Sequence, residues 1–218
     1  MRMHNFWLYM AAPAILLLTA CAPVQPAPPA PPAARARAII LDELELITAD
    51  RSLAPRATAG PGSPAFARAL ERVYGPPSQE AFGSAVFFEP ETGDAELAKL
   101  ALAKYRYFVG DLWERFGEQA WLGPWRQVYS RPAGATAGIV VELGAITDRV
   151  VALTAPLILD NVADPAATRA ALAAAFDDPI VNELGVFTLG DGEVISGILV
   201  AGRRGDTGEA VFLVFLLD

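Results

Sequence analysis

The run Ala210 to Leu217, AVFLVFLL, restricts the fold of this chain more than any other stretch. Consecutive apolar residues rich in Val and Phe favour an extended strand, and a strand with no polar face has to be covered on both sides. It should therefore lie inside a sheet, with strands on each edge and other elements packed above and below. Such burial needs a large apolar supply. The chain has 218 residues, of which 53% are apolar and 19% charged, enough for a substantial core and too little charge for wholesale disorder.

The residues before that strand continue the pattern. Gly185 to Leu189 reads as a strand, Gly190-Asp191-Gly192 as a tight turn, and Glu193 to Ala201 as a second strand, with Arg203 to Gly208 as a polar loop. Two β-branched runs, Gly138 to Ile146 and Val150 to Leu159, are separated by Thr147-Asp148-Arg149 and read as a hairpin. Ala85 to Phe88 is a further short strand candidate, ended by Glu89-Pro90. These predict an α+β fold: an antiparallel sheet of about five strands with helices packed against it.

The helices are marked by spacing and by caps. Ile40, Leu44 and Ile47 recur at helical spacing within Ala38 to Arg51, which predicts a first helix, with a strand as the alternative. Ser63-Pro64 offers an N-cap and a proline at the first helical position, Phe66, Leu70 and Val73 line one face, and Gly75-Pro76-Pro77 stops the run. The longest pattern, Asp94 to about Phe116, carries Leu97, Leu100, Ala101, Tyr105, Phe108, Leu112 and Phe116 at spacings of three and four. It predicts one long central helix packed on the sheet. Its aromatic stripe offers a second reading, a ligand groove lined by Tyr105, Phe108 and Trp113. Trp121-Leu122-Gly123-Pro124-Trp125 reads as an aromatic turn, either capping the core or presenting Trp121 and Trp125 to a glycan or a partner protein. Asp164-Pro165 starts an alanine-rich helix to about Phe176, and Asp177-Asp178-Pro179 reads as the solvated turn that ends it.

The beginning of the chain has a different character. Arg2 precedes fifteen mostly apolar residues, Phe6 to Ala20, and small residues then lead into Cys21. As a helix that run would reach about 22 Å, short of roughly 30 Å of hydrocarbon. Ala22 to Ala34 follows as APVQPAPPAPPAA, with six prolines among thirteen residues. Proline removes the donors a sheet or helix needs, so the tract predicts a semi-rigid spacer of about 3.1 Å per residue. Arg35 and Arg37 close it.

Leu18-Thr19-Ala20-Cys21 resembles the lipobox of bacterial lipoproteins, a branched apolar residue and two small ones before a cysteine. The resemblance covers the export segment, about a tenth of the chain. It implies cleavage before Cys21, a diacylglyceryl group on its sulfur, and a membrane partner held through that lipid. Ala22, in place of Asp after the cysteine, implies sorting to the outer membrane, facing the periplasm, if the host is Gram-negative. The expected organisation is a signal peptide over 1–20, a lipid-anchored Pro/Ala-rich stalk over 21–37 and one α+β domain over 38–218.

Removing the signal also removes chemistry. The single histidine, His4, leaves with it, and the single cysteine becomes the anchor. The domain would then hold no histidine and no free thiol, which excludes Ser-His-Asp and Cys-His catalysis and the usual zinc sites. No EF-hand-like run, phosphate loop or dinucleotide fingerprint occurs, so no cofactor or metal is expected. Losing Arg2 from 17 basic residues leaves 16 against 25 acidic ones, a net charge of −9. A domain this acidic repels nucleic acid. The expectation is a non-catalytic envelope lipoprotein that binds another envelope protein. Two alternatives stand beside it: a module for a small ligand or glycan, contacting it through Tyr105, Phe108, Trp113, Trp121 and Trp125, and a carboxylate-dependent cell-wall hydrolase using residues such as Glu89, Glu142 and Asp177.

Overall fold

In a computed structural model, residues 62–75, 83–160, 162–205 and 207–217 are described. The signal, the lipobox, the stalk and the helix expected over 38–51 lie outside them. Five strands form one antiparallel sheet: β1 (Ser84–Glu89), β2 (Arg126–Ser130), β3 (Val181–Gly190), β4 (Ser196–Arg204) and β5 (Ala210–Leu217). Their order is β1-β5-β4-β3-β2. The final strand is internal, as its lack of a polar face requires, with β1 and β4 on its two edges.

Helices cover both faces. On one side lie α1 (Ala65–Tyr74), α5 (Ile139–Ala145), α6 (Arg149–Leu159) and α7 (Pro165–Phe176). They close over Val86, Leu184, Val186, Ile198, Val200, Val211 and Leu213 in an aliphatic core. On the other side lie α2 (Leu97–Val109), α3 (Leu112–Phe116) and α4 (Glu118–Leu122), which meet the alternate residues Phe87, Phe187 and Phe212. Period-two alternation sends neighbouring residues of each strand to opposite cores. All described residues belong to one compact unit.

Three local expectations are corrected. Residues 138–146 and 150–159 form α5 and α6, not a hairpin. Ile139, Leu143 and Ile146, then Val151, Ala155 and Ile158, are buried at spacings of three and four, so the helical period underlay the β-branched composition. Asp148 is the N-cap of α6: its carboxylate accepts from the Val150 amide at 2.9 Å. The sheet still has five strands because β1 and the half-exposed β2, which carries no strong pattern, complete it. The long helix breaks at Gly110, whose φ of 60° lies where only glycine rests easily, giving α2 and α3. Ser63 does not cap α1; Pro64 occupies that position, and the Ser63 carbonyl accepts from the Arg68 side chain. Asp164 does cap α7, accepting from the Ala167 amide at 3.0 Å.

Candidate functional site

The residues singled out as aromatic contacts come together, but mostly in the interior. Tyr105, Phe108, Trp113 and Trp121 are each at most 3% exposed. Tyr105 sits edge-on to Trp113 at 5.3 Å between ring centroids and stacks on Trp125 at 5.8 Å, and Trp125 stacks in turn on Phe187 at 4.8 Å. Rings this close form a filled core, not an open groove. Trp125 alone of the five is half-buried. The Tyr105 hydroxyl donates to the Gly190 carbonyl and accepts from the Gly190 amide, each at 3.0 Å, which ties α2 to the end of β3. Burial pushes its phenol well above the usual tyrosine range, so it stays neutral. The Trp121 indole donates to the Leu112 carbonyl at 3.1 Å.

The three carboxylates considered for hydrolysis separate into two places. Glu89 accepts from Lys104 at 2.8 Å, and the Lys104 side chain is only 3% exposed. Glu142 and Asp177 meet on the opposite face, on Arg131 just past β2. Arg131 Nε donates to one Glu142 oxygen at 2.8 Å and its terminal nitrogen to the other at 2.7 Å. The same nitrogen reaches Asp177 at 3.1 Å, and the remaining one donates to the Phe176 carbonyl. Asp177 also accepts from the Ile139 amide at 2.7 Å, at the start of α5. Gly138 makes that approach feasible, because a Cβ there would lie 2.6 Å from the Asp177 carboxylate.

This fork clamps β2, α5 and the end of α7 together. Burial alone would lower the Arg131 pKa, but the hydrogen bonds and charges of Glu142 and Asp177 outweigh it and raise it. Both carboxylates therefore face a permanent cation. A nucleophile has to present a free lone pair, and the bidentate pair with Arg131 occupies those of Glu142. Asp177-Asp178-Pro179 is accordingly more than a solvated turn. Asp178 takes Arg204 at 2.8 Å and the Ile180 amide at 3.1 Å, and these hold its carboxyl below the usual range. The sequence brought Glu142 and Asp177 forward as carboxylates, whereas Arg131, which unites them, carried no signal of its own.

Beside the fork lies a groove of about 550 Å³ between the β2 edge and α5, walled by Val128, Val141, Ala145 and Ile146, with Tyr129 and Glu142 at its floor. A bulge between Gln127 and Tyr129 shapes it. The extra residue lets Val128 and Tyr129 both pack on the aliphatic core, so two consecutive side chains line one wall. Burial raises the Tyr129 pKa, and its hydrogen bond to Glu142 raises it further. At the rim, Asp148 is bound by Arg126. Burial there is outweighed by that bond and by the Val150 and Val151 amides, which hold the Asp148 carboxyl below the usual range.

Most described cations are paired with carboxylates of the same chain, as in Arg106 with Glu118, Arg169 with Asp160 and Arg203 with Glu183. Among the described residues no group of His, Cys, Asp or Glu is placed to hold a metal ion, and no helix is long and apolar enough to cross a membrane. No protein family, curated protein or solved structure matches the chain.

Proposed function

We propose that this chain is a lipid-anchored lipoprotein of the bacterial envelope, non-catalytic, whose folded domain binds another envelope protein. The observation that carries the reading is Leu18-Thr19-Ala20-Cys21, with a basic start and an apolar run before it and a proline-rich tract after it. Each buried methylene contributes about 0.8 kcal/mol, and two acyl chains hold a protein stably where one does not. A diacylglyceryl Cys21 would keep the domain on the membrane, and the stalk would set it off the surface.

Two features of the fold support a binding role over a catalytic one. The aromatic residues that would line a small-ligand groove are packed against one another. Glu142 and Asp177 share Arg131 in an arrangement that clamps elements together. Palmitate labelling of the full chain in its host tests the anchor: label is expected on the wild type and absent from Cys21→Ser, and an unlabelled mature wild type overturns it. Recovery of the lipidated protein from detergent with no protein partner counts against the binding role.

A further inference from the structure

On the aliphatic side of the sheet, α1 and α7 pack together and leave a groove of about 470 Å³ between them. Its walls are aliphatic: Ala69 and Val73 on α1, Ala167, Ala170 and Ala171 on α7, and Val162 just before α7. Ala167 and Ala170 are exposed there. Side chains this short let another helix approach to about 8–10 Å between axes. Two charges also stand on the walls. Asp164 caps α7 through the Ala167 amide, and Arg72 is exposed with no ion-pair partner among the described residues. A matching occupant is a helix with one apolar face and carboxylates beside it, turned toward Arg72 and away from Asp164.

The chain itself supplies such a segment. Residues 38–51, AIILDELELITADR, lie outside the described residues, and their sequence sets Ile40, Leu44 and Ile47 at helical spacing with Asp42, Glu43 and Glu45 between them. As a helix they would reach about 21 Å, against about 15 Å for α1 and about 18 Å for α7. Residues 52–61 join the segment to Gly62, just ahead of α1. That connection can span up to about 33 Å, more than the length of α1, so the segment can reach the groove. So short a tether also gives it an effective concentration on the order of millimolar, ahead of a free partner of similar affinity. Residues 76–82, which follow α1, suit the groove less: they begin with two prolines and offer Phe82 as their one large apolar side chain.

We propose that residues 38–51 form an amphipathic helix that docks in the groove between α1 and α7, with Ile40, Leu44 and Ile47 against the alanine walls and the acidic residues beside Arg72. Docking there fixes the side of the domain from which the chain leaves toward residue 37. The proposal goes beyond the binding role and holds whether or not Cys21 carries lipid, because residues 38–51 follow the stalk either way.

The test places a photocrosslinking phenylalanine derivative at Ala170, and separately at Leu153, in the full chain in its host cells. Ala170 stands on the groove wall; Leu153, 64% exposed, reports on another surface. Peptide mapping by mass spectrometry of the monomer-sized product should join position 170 to residues 38–51, and position 153 should not reach them. Leu44→Asp should cut the adduct roughly tenfold, since it puts a charge into an apolar groove. Arg72→Glu should lower it about threefold, and Arg72→Lys should leave it unchanged. If Leu44→Asp fails to accumulate, Leu44→Gln takes its place with the same expectation. Adducts to residues 76–82, to a second copy or to another protein overturn the proposal, as does silence at position 170. So does an adduct to 38–51 that is indifferent to the Leu44 variant or to Arg72→Glu, or one formed equally from position 153.

Discussion

On one face of the sheet, Tyr105, Trp113 and Trp121 pack on one another, Trp125 joins Tyr105 to Phe187, and Lys104 lies over Phe212 and pairs with Glu89. On the other, aliphatic side chains pack beside an ionic fork, Arg131 with Glu142 and Asp177, and a groove lies next to it. The faces share the same strands, residue by residue, yet differ in how they are held. Aromatic packing fills space with large rings, so it leaves little room to bind anything. An arginine fork holds three segments at set distances with few atoms, so an adjacent surface can stay open without loosening the core.

The largest expected effect lies on the aromatic face. Trp121→Ala should destabilise the domain by about 4 kcal/mol in urea unfolding, through lost burial and the cavity left behind; a loss below about 1 kcal/mol would mean this face is no solid core. Next comes the fork. Arg131→Met strands a buried carboxylate and should cost about 3 kcal/mol, whereas adding Glu142→Leu should restore most of it, since a removed pair is far less harmful than a broken one. Additive losses in that cycle would break the contrast between the faces.

Tyr105→Phe should cost about 1 to 2 kcal/mol, because Gly190 then loses its partner for both backbone groups. Asp148→Ala should cost about 1 kcal/mol at pH 7 through the lost α6 cap. Its pH dependence has a definite sign. The folded carboxyl titrates below its ordinary value of 3.8, so its contribution is complete above that value and is lost as pH falls through the lower folded one. The gap between wild type and Asp148→Ala, read from urea midpoints, should therefore shrink below about pH 4. Leu153→Lys, on an exposed position of α6, should change stability by less than about 0.5 kcal/mol.

Much of the fold was legible wherever burial left a pattern. β3, β4 and β5 were readable because their apolar runs are bounded by a Gly-Asp-Gly turn and a polar loop. α7 was readable from Asp164-Pro165. The segments over 138–159 misled because valine and isoleucine weigh toward strands in isolation, while Asp148 serves equally as a turn residue or a cap. β2 escaped notice because an edge strand half in water needs no strict alternation. The aromatic residues were recognisable as a group, but their burial depended on helices closing over them.

By itself the sequence determined that the last strand lies inside a sheet, that the chain carries one cysteine within a lipobox-like run, and that no histidine follows residue 4. These are matters of composition and of neighbours along the chain. Only the tertiary structure decided that Arg131 joins Glu142 to Asp177, residues 11 and 46 positions away, and that a bulged edge strand meets α5 across a groove. Pairings at such separations leave no local periodicity, because the partners meet only after the sheet and helices have packed.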